Sequence, residues 1–489
     1  MKNTILKLLA LMLVLALSFS IVGCFPATPD NGDGNNGDGA DDLLGITDDT
    51  IWVGNTAATT GGSADVGAPF KLGIEAAFAA YNAQGGYNGK KIALKHYDDQ
   101  SSADNSIVLL DKLIQEDEVF AVVGHFGSYA VDATIDTLKD EKVPMIYAAA
   151  GNNALFNDNA TSLGDKGIFP VQPLNVTEGR MMILRAFAPT DKGGFNAKKV
   201  GVIANSNEAS QALLAGIKAE VKDSKLDESK IVYQEVASAD YTGAVNNLKA
   251  QGCDLVIITV ISTDFTTALS TMADANYVCS VLTSYNNAST NLFNDKNTTV
   301  MKPGFENIFK TMAVFYQGWV DVTSTDYEYK DEDSNLYKAY KFYRLLNENG
   351  AVVGFTEEYW QVANNIYNYA LTVPGMSQTA AFGMSYDAYA LAGYIAGDLF
   401  CQAMEALEKS GKALSRANLI EIMESQDFDV CMSSTISFAN GVRKGVEAFS
   451  LNMFFNAKDY DSTKDNSASS TLVYGLTTIE DYRALLAGN

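Results

Sequence analysis

The stretch Asn82-Ala83-Gln84-Gly85-Gly86-Tyr87-Asn88-Gly89-Lys90-Lys91-Ile92 joins a helical pattern to a strand pattern and decides the fold. Before it, residues 70–83 place apolar side chains at helical spacing, and after it residues 92–96 form a short strand-like run. The glycines between them permit positive φ, so we interpret them as turn residues that position the neighbouring elements. A turn of this kind between helix and strand indicates an α/β protein.

The same alternation of short β-branched runs with helical patterns repeats along the chain, which is typical of parallel sheets built from βαβ units. It predicts two doubly wound parallel-sheet lobes. The predicted strands are 51–54, 92–96, 120–123, 144–147, 200–204, 231–236, 255–259 and 281–283. The predicted helices are 70–83, 106–115, 208–221, 242–251, 265–275, 387–410 and 416–425, and 435–438 and 449–455 are predicted as further β segments.

The composition indicates which partner and which class of chain are excluded. The 489 residues carry a formal net charge of −24 and a hydrophobic content of 47%. Because this strong negative charge repels phosphate backbones, nucleic acid is not an expected partner. The apolar content is too high for a disordered chain and sufficient for large cores.

The first residues have the pattern of a targeting segment. Lys2 and Lys7 precede an apolar run at 8–22 that is too short to span a membrane. It ends in Ile21-Val22-Gly23-Cys24, which resembles a bacterial lipobox, so we predict a signal peptide at 1–23 and acylation of Cys24. The alternative is an ordinary signal peptide with a chance cysteine. The predicted location is the extracytoplasmic face of a membrane in the cell envelope.

Residues 24–46 are rich in Asp, Asn and Gly and are predicted to be a flexible acidic tether. Their spacing does not meet the requirements of a calcium loop, because the third position counted from Asp30 is Gly32. No metal site is predicted.

Three motifs carry a family resemblance. The Gly85-Gly86-Tyr87-Asn88-Gly89 turn is followed by an acidic pair at Asp98-Asp99 and then by residues 122–128, Val-Val-Gly-His-Phe-Gly-Ser. Together they resemble the leucine/isoleucine/valine-binding proteins, the type I periplasmic binding proteins of branched-chain amino acid ABC importers. The resemblance implies two lobes joined by a three-strand hinge, a small solute bound between them, a membrane permease as partner and a monomeric chain.

The resemblance and the periodicity together predict the lobe boundaries. Lobe 1 is expected at 47–171 and 320–440, and lobe 2 at 172–319 and 441–489. The region from about 286 to 380 is larger than the family pattern, and its aromatic residues are interpreted as a packed helical layer, with stacking on a ring-shaped ligand as the alternative.

Ser128 is the first candidate for ligand binding. It follows a strand and precedes a helix at the carboxyl edge of a parallel sheet, where open α/β folds bind ligands. Backbone NH groups at a helix start, together with a hydroxyl, suit a carboxylate. The alternative is that Ser128 merely caps its helix. The resemblance favours ligand contact, because the family places a serine there for the α-carboxylate of the ligand.

The next loop departs from the family. Its relatives carry Pro-Ala-Ala-Thr, and the matching residues here are 148–151, Ala-Ala-Ala-Gly, so the threonine is missing. The resemblance implies that Ala149 offers its carbonyl and Gly151 its NH, and Asn152 is the candidate replacement for the missing hydroxyl.

In lobe 2, the acidic residue that captures an ammonium in the family would fall near Tyr285 or Asn286. Asp264 is the nearest remaining carboxylate on that edge. Its alternative role is a helix N-terminal acid that interacts with the dipole. These departures put an ordinary α-amino acid ligand in doubt.

No enzyme motif is present: the sequence lacks a nucleophile elbow, a zinc-protease motif, a Walker loop and a dinucleotide fingerprint. Its two histidines, His96 and His125, are interpreted as structural or pocket-edge residues. We expect neither an enzyme nor a cofactor. A ligand-sensing receptor domain on the same fold is the alternative function, and a carboxylate-pair hydrolase is a more distant one.

Four cysteines remain beyond Cys24. Cys253 and Cys279 each precede one of two consecutive predicted strands, which are usually neighbours in a parallel sheet. Adjacent strands are ~5 Å apart, within the range of a disulfide, so the sequence predicts a bridge between them, with two free thiols as the alternative.

Overall fold

The structure is a computed structural model, and it describes residues 44–288, 292–294, 301, 313–318, 356–460, 462–463 and 466–488. Its first sheet is parallel and has the strand order β2-β1-β3-β4-β5. Its strands are β1 (Thr50–Ala57), β2 (Lys91–Asp98), β3 (Val122–Phe126), β4 (Met145–Ala149) and β5 (Ile168–Phe169).

Helices cover the first sheet. They are α1 (Ala64–Ala83), α2 (Ala103–Gln115), α3 (Ser128–Asp140) and the short α4 (Leu163–Lys166). From the C-terminal half come α9 (Glu357–Ala370), α10 (Gln378–Met384), α11 (Ala388–Ser410) and α12 (Arg416–Ser425). Buried side chains of α1, α9 and α11 share one hydrophobic core with strands β1 and β3. We call this sheet and its helices lobe 1.

The second sheet is mixed, with the order β14-β13-β10-β9-β8-β6-β7. Five strands run parallel: β6 (Val200–Asn205), β7 (Ile231–Val236), β8 (Leu255–Ile258), β9 (Ser280–Thr283) and β10 (Ala313–Gly318). Two antiparallel strands, β13 (Ala448–Asn456) and β14 (Ala468–Thr478), extend it on one side. A separate hairpin joins β11 (Asp427–Asp429) to β12 (Thr435–Ser437).

The helices that accompany this sheet are α5 (Asn175–Phe187), α6 (Glu208–Asp223), α7 (Thr242–Ala250), α8 (Ser262–Asp274), α13 (Ala457–Tyr460) and α14 (Ile479–Leu486). A core of buried Met, Ile and Leu side chains joins α5 and α6 to strands β6, β8 and β9. We call the second sheet and these helices lobe 2. The predicted fold, two lobes with parallel sheets, is confirmed.

Two segments of the chain pass between the lobes side by side, near residues 170–174 and 442–447. The NH of Val446 donates to the carbonyl of Val171 at 2.9 Å. Gly445 has φ +70, and a Cβ there would lie 2.3 Å from the carbonyl oxygen of Gln172, so only glycine allows this approach. A third passage would fall between 319 and 355, outside the described residues, so the three-strand hinge and the exact lobe boundaries stay predictions.

Several predictions concern residues that the structure does not describe. They are the signal peptide, Cys24 and nearly all of the tether, together with much of the enlarged region. The described part of that region includes strand β10 of the lobe 2 sheet as well as α9 and the start of α10, so it is not helical throughout. The buried aromatic residues of α9, Tyr359, Trp360 and Tyr367, belong to the lobe 1 core. In the described ranges, no helix combines the length and apolarity needed to cross a membrane.

The predicted disulfide is wrong, because Cys253 and Cys279 are free thiols in the structure. Strands β8 and β9 are neighbours as expected, but Leu255 is paired with Ser280. In that register Cys279 is level with Asp254 and not with Cys253. Both cysteines belong to the same buried cluster of lobe 2, and no bond joins them. Burial raises the pKa of both, that of Cys279 to about 12.

Candidate functional site

The lobe 1 part of the site lies where β3 ends and α3 begins. Gly127 is the N-cap residue of α3, with φ +98, and no side chain caps this helix. Ser128 is the first helical residue and is exposed. Its hydroxyl therefore does not act as the helix cap, and it lies at the positive end of a helix dipole, where a carboxylate is favoured.

Asn152 lies next to Ser128 and is 1% exposed. Its Nδ2 donates to Asp132 Oδ1 at 2.6 Å and is 3.4 Å from the carbonyl oxygen of Ser128. The carboxylate of Asp132 fixes the orientation of the amide, since it can only accept. Among the described residues, Oδ1 of Asn152 is a buried acceptor without a hydrogen-bond donor. This oxygen could accept from a bound solute.

Ala149 and Gly151 lie at the end of β4. The Ala149 carbonyl accepts from the Gly127 NH at 3.2 Å, so it uses one of its two acceptor positions inside the protein. Gly151 is buried, and its carbonyl accepts from the Asn175 NH at 3.0 Å. A Cβ at Gly151 would lie 2.6 Å from Asn175 Oδ1 and 2.9 Å from the Tyr285 hydroxyl. The close approach of lobe 2 explains why the threonine of the relatives has no room here.

The lobe 2 part of the site is the turn after β9, a 3₁₀ turn at residues 285–287. The hydroxyl of Tyr285 donates to the Pro173 carbonyl at 2.8 Å and accepts from Gln172 Nε2 at 3.0 Å, which ties the turn to a segment that passes between the lobes. Asn286 is exposed, and its Nδ2 donates to Asn175 Oδ1 at 3.2 Å.

Glu178 lies beneath this turn and is fully buried. Its Oε1 accepts from the Tyr285 NH and its Oε2 from the Ser284 hydroxyl, each at 2.7 Å. Burial raises the pKa of Glu178 to about 8, against these two hydrogen bonds, which lower it.

Asp264 lies in the first turn of α8, on the same edge of the lobe 2 sheet. Its Oδ2 accepts from Asn205 Nδ2 at 2.8 Å. The structure thus places Ser128 beside Asn152. It also places Gly151 beside Tyr285, and Asn175 links Gly151 to Asn286. The hydrogen bond of Asp264, by contrast, goes to Asn205 of the same lobe.

One further contact joins the lobes. The NH of Asn153, in the loop after β4, donates to Glu208 Oε1 at the start of α6 over 3.3 Å. Glu208 is exposed. The hydrogen bond between Asn153 and Glu208 and the contact between Gly151 and Asn175 together bring the loops at the carboxyl ends of the two sheets into contact.

Both histidines lie in lobe 1 and are poor bases. His96 is hydrogen-bonded to Asn55 and Thr59, and His125 to Thr134. Burial lowers the pKa of each to about 4, so both are neutral at pH 7. Within the described ranges, no three or more His, Cys, Asp or Glu side chains form a group that could hold a metal ion.

Sequence reasoning missed three residues of the site: Asn175, Glu178 and Glu208. Asn175 and Glu178 contact the turn after β9 from more than 100 positions away, a pairing that no local pattern reports. The one signal for Glu178 is its place three residues before Met181 and four before Met182, where helical spacing predicts a buried side chain.

Comparison with known proteins gives the family. Residues 50–323, more than half of the chain, match the family model described as periplasmic binding protein. The Leu/Ile/Val-binding protein homolog 2 of Brucella abortus is 34% identical over 152 residues, 29% of this chain and 41% of that protein. An amino acid binding protein of Pseudomonas aeruginosa is 27% identical over 216 residues, 42% of this chain and 52% of that protein. The chain therefore spans about half the length of these curated relatives or less.

Solved structures agree on the fold. A fatty acid ABC transporter substrate-binding protein from Thermomonospora curvata has a TM-score of 0.60 at 15% identity, covering 91% of this chain and 96% of that one. A leucine binding protein from Thermotoga maritima has a TM-score of 0.56 at 14% identity, covering 88% and 99%. The resemblance inferred from the sequence motifs is confirmed, and the chain belongs to the periplasmic binding protein family of type I fold.

Proposed function

We propose that this protein is the extracytoplasmic solute-binding lipoprotein of an ABC importer and captures a small polar solute between its two lobes. The solute is an amino acid or a related carboxylate or amide. The observation that carries the proposal is the meeting of two loops at the carboxyl ends of the two sheets, where Gly151 approaches the Tyr285 hydroxyl and Asn286 is hydrogen-bonded to Asn175. Open α/β sheets bind ligands at this edge.

A carboxylate on the solute is supported by the lobe 1 side of the site. Ser128 offers an exposed hydroxyl at the start of α3, and a helix of 13 residues supplies NH groups and a favourable dipole. The named ligands of the similar proteins agree, because leucine, isoleucine, valine and fatty acids all carry a carboxylate.

Neutral polar groups are supported on the lobe 2 side. Asn286 contributes a side-chain amide, and Asn152 contributes from lobe 1 an oxygen that no donor of the described residues meets. Asp264 is engaged with Asn205. An amide or hydroxyl on the solute suits these partners at least as well as a free ammonium.

Closure of the lobes is the mechanism of capture. A solute that contacts Ser128 on one lobe and Asn286 on the other makes both contacts only when the lobes are together, so it favours the closed state by that difference in binding free energy. The contact between Asn153 and Glu208 adds to the closed state. The permease in the membrane is the proposed partner, and Cys24 the proposed site of the lipid anchor.

Thermal unfolding in the presence of a solute panel tests the proposal. Amino acids, small amides, aromatic acids and nucleosides are screened, and a true ligand stabilises the protein by RT ln(1 + [L]/Kd). The solute must be recovered unchanged after incubation. Conversion of a hit at a rate proportional to protein concentration would support a hydrolase instead, and mass spectrometry of molecules that co-purify gives an independent identification.

A further inference from the structure

The buried carboxylate of Glu178 has no role in the proposed capture of the solute, yet it holds the turn that forms the lobe 2 side of the site. It lies on α5 and contacts two consecutive residues of the turn, Ser284 and Tyr285. Ser284 is also the N-cap residue of that turn.

The hydroxyl of Ser284 has its full set of hydrogen bonds. It donates its one proton to Glu178 Oε2, and it accepts from the Asn286 NH at 3.1 Å and from Asn286 Nδ2 at 3.0 Å. A hydroxyl has one donor and two acceptor positions, so no position is left. This arrangement requires Glu178 to accept through both oxygens, as a carboxylate does.

A proton on Glu178 changes the arrangement in one specific way. Oε1 faces the NH of Tyr285, which can only donate, so the proton taken from solvent must lie on Oε2. Oε2 then donates to Ser284, whose oxygen would face three donors with two acceptor positions. The NH of Asn286 is part of the backbone of the turn and cannot move away from Ser284. The side-chain amide of Asn286 can rotate, so it is the donor that must leave.

We propose that Glu178 is a positioning residue for Asn286 and that its proton decides whether the Asn286 amide is held by Ser284 or is free to meet a solute. When Glu178 is ionised, the two Nδ2 hydrogens of Asn286 go to Ser284 and Asn175. When Glu178 is protonated, one of these hydrogens is available in the site. The link to the solute rests on the proposed function, whereas the proton-linked movement of Asn286 does not.

The surroundings of Glu178 make its protonation accessible near neutral pH. Tyr285 is the titratable group that interacts with it from the turn. Of the charged groups on α6 and α14, Glu220 pairs with Arg180 and Arg483, and Asp223 pairs with Arg180. From β8 and β9, apolar side chains pack against α5. Burial raises the pKa of Glu178 to about 8, and within the described part of the chain no cation is among the groups that lower it.

A pH titration of the purified, solute-free protein labelled with ¹⁵N-asparagine tests the proposal. The side-chain resonance of Asn286 is identified by its loss in Asn286→Gln. From pH 5 to 10 it should move through one step with a midpoint near pH 8. In Glu178→Gln, whose amide can accept from Tyr285 and donate to Ser284 as the protonated acid does, the resonance should stay near its low-pH position throughout.

Glu220→Gln, which removes another buried acid that contacts α5, is the matched control and should leave the midpoint in place. A resonance of Asn286 that stays constant from pH 5 to 10, or that titrates equally in Glu178→Gln, would overturn the proposal. If Glu178→Gln does not fold, Ser284→Ala decides: loss of its hydrogen bond to the carboxylate should raise the midpoint observed on the Asn286 NH, and an unchanged midpoint would refute the role of Glu178. Because no solute is present, failure here leaves the solute screen unaffected.

Discussion

Replacing Glu178 with glutamine should remove a pH dependence from the stability of the protein. Burial raises the pKa of Glu178 from an ordinary value of 4.5 to about 8, so the folded state binds a proton more tightly than the unfolded state. The stabilisation from this proton is complete below about pH 4.5 and is lost as the pH rises through about 8. A tenfold change in proton affinity is about 1.4 kcal/mol, so the shift corresponds to roughly 4 to 5 kcal/mol.

Urea unfolding at half-unit intervals from pH 5 to pH 9 measures this effect. The wild-type free energy of unfolding should fall by up to about 4 kcal/mol more than that of Glu178→Gln over this range, and the two curves should diverge most steeply between pH 5 and 8. Glu220→Gln is the control. Burial raises the pKa of Glu220, but the hydrogen bonds from Arg483 and its other partners outweigh burial and hold the pKa low. The stabilisation from Glu220 is therefore lost only in acid, and this variant should keep the wild-type slope above pH 5. Parallel curves for wild type and Glu178→Gln would refute the assignment of a raised pKa to Glu178.

Three further predictions concern binding and anchoring. Ser128→Ala should weaken binding of a carboxylate solute by ~1.5 to 3 kcal/mol in calorimetry, because a charge-assisted hydrogen bond is lost, while the melting temperature stays nearly unchanged since Gly127 is the helix cap; a large fall in melting temperature at unaltered affinity would contradict this. Gly151→Thr should hold the lobes apart, because its Cβ would be 2.6 Å from Asn175 Oδ1; small-angle scattering should show a larger radius of gyration and a solute-binding assay at least a tenfold weaker affinity, and wild-type values for both would refute the steric argument. Cys24→Ala should abolish incorporation of labelled fatty acid, and continued incorporation would show that the lipobox assignment is wrong.

The strands and helices predicted from the sequence are present, although some of their ends differ. Elements α5, β10, β14 and α14 were not predicted. The first strand was expected to end at Gly54 but continues to Ala57 through the buried polar pair Asn55 and Thr56. Asn55 Nδ2 donates to the Gly124 carbonyl of the neighbouring region, a long-range bond that offsets the cost of burying an amide. Helix α1 begins at Ala64, six residues before the apolar periodicity becomes visible at Phe70.

The site could be predicted only in part. Ser128 and Asn152 follow strands of lobe 1, so strand order was enough to place them at the sheet edge. The support of the lobe 2 turn by Glu178 depends on contacts across more than 100 residues of chain. The neighbouring positions of β8 and β9 were predicted correctly, yet Cys253 and Cys279 are free thiols. Periodicity gives the faces of an element, but it does not give the register between elements.

The hydrogen bond between Val446 and Val171 has a mechanical consequence for the passage between the lobes. Two chain segments that are hydrogen-bonded side by side resist sliding past each other and resist twisting. Both can still bend together, in the direction perpendicular to the plane that contains them. We therefore expect the lobes to open and close about a single axis that runs near Gly445. If the lobes move about one axis only, the same loops meet in the same relative position each time the lobes close. The contact between Gly151 and Tyr285 would then re-form without the lobes sampling other relative orientations.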